Sequence, residues 1–429
     1  MKREDPLRAV AEFNLLDAIF GRRSRRFGAG MQIPAGPLAH ASRLPPEPLS
    51  ELETSTLVAL ASGSVGWHEG IPHRDGDPGL ASYAFRFGGR ASPGGAGIST
   101  GELIYTNDSG TFIVRTREVA PVDAHLSGVD RLDAVIQQVR KHTRQLSTSR
   151  VTIPRAPPHM HEHNFWNANV EGSTLFVPVI DLAQKMLGIM ALLIQNRTLL
   201  VDEKTQRPCG DLSRFVKSGL LDGTRKTPIG MIEASVFSTA SMENAIMAQN
   251  MTLGLQAIGL GGWLFTGINP ISLLGGFADA GIAGLGFRFT HDTRWLTPNP
   301  VGLDGIFEAW CPPYVPDMHA AARRVAEVKF GAQGAYRAAD GGAYTPAIRA
   351  TASAYSDELV ECLGTVAQYL LDTYGKFPVT APSILITPYV QAHHIDLAWY
   401  DRFLGPHSCL DSHRNHAATW HGKNSADGG

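Results

Sequence analysis

The sequence predicts an α+β fold, in which helices and a modest number of strands pack in layers. Three observations predict it. Residues 241–258 carry a helical pattern that is apolar almost all round. Residues 103–116 and the start of 175–194 read as strands. Helices alternate with few strands along the rest of the chain, which argues against an all-α or all-β architecture.

Composition sets the outer bounds. With 429 residues, 43% hydrophobic and 18% charged, the chain is long enough for a large core and more than one subdomain. A net charge of −2 exerts no general pull toward nucleic acid or anionic membranes. Cys209, Cys311, Cys362 and Cys409 lie far apart with no C-x-x-C pair, which suits a reducing cytoplasm without a disulfide framework or zinc ribbon. The N-terminus lacks the uniformly apolar segment of a signal peptide. The longest strictly apolar run, Met186 to Ile194, is about half of the ~20 residues needed to cross a bilayer, so no membrane span is expected.

In chain order, Asp5-Pro6 is a cap and first-turn pair for a helix with Leu7, Val10, Phe13, Leu16 and Ile19 on its inner side. Pro34 to Pro48 is a connector, and residues 49–60 predict a second helix. Residues 81–87 and 103–116 read as strands, the latter turning at Asn107-Asp108-Ser109-Gly110. Residues 132–145 read as a helix, 175–194 as a strand followed by a buried helix, and 198–202 as another strand. Residues 203–230 are polar, contain four glycines and read as an excursion over the surface. Beyond residue 298, helices are expected over 318–330 and 347–374, the second with Leu359, Cys362, Val366 and Leu370 on one face.

The central pattern is SMENAIMAQNMTLGLQAIGLGGWLFTG, Ser241 to Gly267. A helix apolar on most of its circumference is a buried one. It ends at Gly259, suited to a left-handed cap, and the following glycines leave backbone that a flat ligand can approach. Two further stretches carry chemistry. Arg22-Arg23-Ser24-Arg25-Arg26-Phe27 is a basic run whose guanidinium forks suit a phosphate, although arginines after a helix also complement its dipole. Residues 90–97, with Ser92, Pro93, Gly94 and Gly95, form a glycine-rich loop before the strand at 103.

Together these three stretches resemble the nitroreductase-like FMN flavoproteins, and the 90–105 segment is similar, in part, to the branch of peptide azoline dehydrogenases. Gly94 replaces a serine of that branch, and its Tyr-Pro is absent. The resemblance implies an FMN-dependent oxidoreductase with a nitroreductase-like core over residues 1–300, an insertion at about 150–230 and an extension over 301–429. It implies FMN contacts from Arg22, Arg23, Ser24, Arg26, Ser92, Pro93, Gly94, Gly95, Gln249, Asn250, Leu260, Gly261, Gly262, Thr266 and Gly267, the last pair lying where hydride reaches the flavin N5. It further implies a homodimer, a cytoplasmic location, a small-molecule or peptide substrate, and either NAD(P)H or the substrate itself as electron donor.

Histidine is dense in two places outside those motifs. His159, His161 and His163 could face one side of a strand as metal ligands, while Asn164, Trp166 and Asn167 could equally line a substrate or flavin edge. In the tail, His393, His394 or Tyr400 could donate a proton near the flavin, and His394, Asp396, His413 and His416 form a candidate N/O metal set. The competing functions are therefore a metal-dependent enzyme using this segment, or a non-catalytic flavin binder.

Overall fold

The computed structural model describes residues 5–63, 101–115, 122–123, 125–332, 346 and 354–422. The strand expected at 81–87 and the loop at 90–97, including Ser92, Pro93, Gly94 and Gly95, lie outside the described residues.

The N-terminal helix differs from expectation. It splits into α1 (Pro6–Ala11) and α2 (Leu15–Phe20), because the Asn14 side chain accepts hydrogen bonds from the Leu16 and Asp17 amides and starts a new helix. Leu16 and Ile19, assigned to an inner face, are exposed, as are Leu15 and Phe20. The next helix, α3 (Glu51–Ser62), is opened by a capping box: Ser50 Oγ accepts from the Glu53 amide, and Glu53 Oε2 accepts from the Ser50 amide at 2.6 Å.

The core is an antiparallel sheet of seven strands: β1 (Gly101–Asn107), β2 (Gly110–Val114), β3 (Thr143–Ser147), β4 (Thr174–Asp181), β5 (Gly261–Phe265), β6 (Ile384–Leu385) and β7 (Tyr389–His393). Their order is β5–β7–β4–β1–β2–β3, with β6 paired to the end of β4. The β1–β2 hairpin closes where Asn107 faces Gly110. β4 is buried throughout, and its alternation sends Leu175, Val177 and Val179 into one core and Phe176 into another. β7 comes from residues expected to form an extension, yet it lies between β5 and β4 and is fully buried. Residues 301–429 therefore contribute to the central sheet.

Helices cover both faces. α4 (Gly128–Lys141) packs with α3, whereas α5 (Leu182–Gln195) follows β4 directly on the opposite side. The central helix expected over 241–258 begins 12 residues earlier, as α6 (Ile229–Ile258), 30 residues long. Its first half places Ile232, Val236 and Ala240 in the larger core, and its second half places Met247, Met251 and Leu255 in the smaller one. Gly259 ends it in the left-handed region at φ 87°, as a C-terminal glycine does.

The polar excursion after residue 202 is more ordered than its composition suggests: Asp222–Pro228 pairs in parallel with Thr198–Asp202, and Arg207–Pro208 flanks it. Two helices, α7 (Met318–Phe330) and α8 (Asp357–Tyr374), cover the α5 side; residues 347–353 of the longer helix expected there lie outside the described residues. The last helices among the described residues are α9 (Leu397–Phe403) and α10 (Asp411–His421). Among the described residues, no helix is long and apolar enough to cross a membrane.

Candidate functional site

Two of the three cofactor-like stretches meet. Arg25 forms an antiparallel bridge with Gly262, its carbonyl accepting the Gly262 amide at 2.8 Å, so the basic run lies along β5, the outermost strand of the sheet described above. The Arg25 side chain serves the fold: it is buried and donates to Gln256 Oε1 at 2.6 Å, to the Ser408 carbonyl at 3.0 Å and to the Gly21 carbonyl at 3.3 Å. With Arg25 fixed, its neighbours Arg22, Arg23, Ser24 and Arg26 are left exposed. Arg23 donates to the Phe20 and Arg22 carbonyls, while the Arg26 guanidinium sits 5.9 Å from the centre of the Trp263 ring.

On β5 the side chains alternate. Trp263 and Phe265 are buried, whereas Leu264 and, just beyond the strand, Thr266 are exposed. Leu260, Gly261, Gly262 and Gly267 are buried. A Cβ on Gly262 would collide with the Gln391 carbonyl oxygen, and one on Gly261 would lie 2.7 Å from His393 Nε2. These two glycines thus let β5 press against β7. Gly267 is pressed by the Asn164 amide, and its carbonyl accepts the His161 amide at 2.9 Å. Gln249 is exposed on α6, its carbonyl accepting from Thr252, and Asn250 is half-buried.

Two donors buried near this strand, Trp263 Nε1 and Asn164 Nδ2, have no hydrogen-bond partner among the described residues. A buried donor without a partner is costly and points to a missing group. The exposed guanidinium edge beside them suits a phosphate-bearing group.

The proposed proton donors are enclosed. His393 packs on Trp263 with ring centres 6.0 Å apart, and burial, aided by neighbouring His394, lowers its pKa to about 3. The Tyr400 hydroxyl accepts the Phe27 amide at 3.1 Å, and burial raises its pKa well above the usual tyrosine value. His159 faces Ser272 Oγ at 2.8 Å, and the His161 and His163 rings stack on each other in an exposed turn.

Of the histidine-tail set, the structure joins His394 and His416 and leaves the other two apart. Asp396 caps α9 through Trp399 and accepts from Ser42 Oγ at 2.8 Å. His413 Nδ1 accepts the Leu410 amide at 3.2 Å, and burial, then Arg25, lowers its pKa to about 3. The partners that His394 and His416 find instead are Glu53 and His421, which sequence reasoning missed. Burial alone would raise the Glu53 pKa, but contacts with these three histidines hold it far below the usual carboxylate range. The available signal was a capping-box glutamate on an otherwise uncharged helix face, followed far downstream by His416 and His421.

No protein-family model and no curated protein matches this chain. Among solved structures, a "putative nitroreductase" from Ralstonia eutropha is similar at 13% identity, covering 60% of this chain and 71% of its own, with a TM-score of 0.25. So loose a similarity carries no argument about this chain.

Proposed function

We propose that this protein is an FMN-dependent oxidoreductase acting on a small organic or peptide substrate. The observation that carries this reading is the Arg25–Gly262 bridge, which sets an exposed arginine run against the glycine strand that follows the central helix. Arg22 and Arg26 would neutralise the phosphate, and the Ser24 hydroxyl would donate to it or to the ribityl chain. Trp263 holds Arg26 in place through its ring face. Bound FMN supplies the two-electron chemistry, so the chain's own task is to orient, neutralise and exclude water.

A homodimer accompanies this reading. Leu15, Leu16, Ile19 and Phe20 on α2 are exposed immediately before the basic run, Phe20 at 73%, and Met231, Phe237 and Met242 are exposed on α6. Exposed apolar side chains on both helices favour association with a second copy.

The test is a fluorescence titration of the flavin-free full chain with FMN. Saturable quenching is expected, weakened roughly 10-fold or more in Arg26→Ala, since hydrogen bonds to a charged group are worth about 1.5–3 kcal/mol. No quenching by the unsubstituted chain would overturn the reading.

A further inference from the structure

Independently of the flavin reading, four side chains from three distant segments converge on one point. Glu53 comes from the first turn of α3, His394 from the residue after β7, and His416 and His421 from α10. Glu53 Oε1 lies 3.2 Å from His394 Nε2, 2.9 Å from His416 Nε2 and 3.1 Å from His421 Nε2. The three imidazole rings form a nearly equilateral triangle, with centres 5.1, 5.3 and 5.3 Å apart. All four potential ligand atoms lie within 4.8 Å of one another, and among the described residues no other group of three or more such side chains does so.

The far sides of two rings fix what the near sides can be. His394 Nδ1 is 2.9 Å from the Glu47 carbonyl oxygen, and His416 Nδ1 is 2.8 Å from the Ile258 carbonyl oxygen. A carbonyl only accepts, so each Nδ1 carries the hydrogen. In the neutral ring, Nε2 then presents a lone pair toward Glu53. His416 Nε2, on a side chain only 9% exposed, approaches the carboxylate to 2.9 Å.

Lone pairs of two imidazoles and a carboxylate, buried and facing one another, repel unless a cation lies between them. Protons would satisfy these contacts one ring at a time. A divalent metal ion meets all four groups at once. Donation of Nδ1 to a backbone carbonyl is also the outer-shell arrangement that orients metal-bound histidine. The carboxylate-to-nitrogen distances of 2.9–3.2 Å agree, because ~2.0–2.1 Å bonds to nitrogen and oxygen place the corners of a tetrahedron about 3.3 Å apart.

We propose that Glu53, His394, His416 and His421 bind one divalent transition-metal ion of the zinc type as a closed structural centre. Three imidazoles and one carboxylate form a borderline donor set that favours Zn2+ over Mg2+ or Ca2+. The centre clamps α10 onto α3 and β7. In that position α10 closes the end of the central helix, with Ser412 Oγ donating to the Gln256 carbonyl at 2.6 Å and His416 to that of Ile258. Glu53 serves both ends of the device, since its second oxygen caps α3.

The test uses the purified full chain. Elemental analysis is expected to give about one zinc-type ion per chain, and the chelator-stripped chain should take up about one Co2+ with the intense visible bands of a four-coordinate site. Removing a ligand, as in His421→Ala at the half-buried end of α10, should weaken uptake beyond the ~10–100-fold typical of outer-shell changes and abolish those bands. His407→Ala, an exposed histidine outside the cluster, should change neither. Glu53→Gln should also lose the bands; because that change touches the α3 cap, His421→Ala decides the matter if Glu53→Gln fails to fold. Absence of saturable uptake by the unsubstituted chain, or an unchanged Co2+ spectrum in His421→Ala, would overturn the proposal.

Discussion

The arginine edge beside β5 and the imidazole cage around Glu53 are built in opposite ways. In the edge, Arg22, Ser24 and Arg26 are close in sequence and exposed, and one neighbour, Arg25, anchors the segment. In the cage, the groups are 341 residues apart between Glu53 and His394, mostly buried, and face one another. An exposed edge can lose a group without loss of fold and must obtain its chemistry from a ligand. A buried cage is part of the core, and removing one member leaves charge or lone pairs stranded.

The largest expected effect breaks the cage. Glu53→Ala removes the carboxylate that three imidazoles face together with half of the capping box, and loss of one partner from a buried charged set costs about 3–5 kcal/mol. Arg22→Ala on the edge should stay within about 0.5 kcal/mol in the same denaturant titration. Equal destabilisation by both variants would erase the distinction.

Acid comes next. The buried His393 and His413 each have their pKa lowered from 6.5 to about 3, chiefly by burial. Between those values the unfolded chain binds more protons than the native one, so stability should fall as pH drops from about 6.5 toward 3. Thermal unfolding midpoints across that range provide the check, and a midpoint that rises on acidification would contradict the assignment of both rings as neutral.

Ionic strength gives a smaller and more selective effect. Raising salt shortens the Debye length to ~8 Å near 0.15 M and ~3 Å at 1 M, which should weaken FMN binding at the exposed edge while leaving metal retention in the buried cage unchanged. Parallel FMN titration and elemental analysis at low and high salt would separate the two sites. The smallest effect is Ser50→Ala: loss of the α3 cap should cost about 1 kcal/mol without emptying the cage.

What the sequence disclosed follows the same division. Periodicity and caps act over a few residues, so α6 with its Gly259 end, α7, the β1–β2 hairpin and the β4–α5 unit were legible. The arginine run stood out because its residues are contiguous, whereas the pairing of Arg25 with Gly262 did not. The split at Asn14 was missed because the apolar spacing of Leu7, Val10, Leu16 and Ile19 continues across it, although the second helix turns those residues outward. Asp396 resembled a ligand by type and proximity to His394, yet its carboxylate is taken by a helix start and Ser42. Glu53 was hidden in the opposite sense: Ser50-x-x-Glu53 fully explains itself as a capping box, and only folding brings its other oxygen to residues 394, 416 and 421. Likewise, β7 is too short for its period to announce a central strand, and its pairing with β5 and β4 is entirely non-local.

The most direct measurement of the functional claim is the visible absorbance spectrum of the purified full chain with FMN, recorded anaerobically before and after NADH and NADPH. A flavin spectrum that stays with the protein, and is bleached by either nucleotide or by a substrate acting as donor, is the predicted result. A chain that remains colourless after incubation with excess FMN would contradict it.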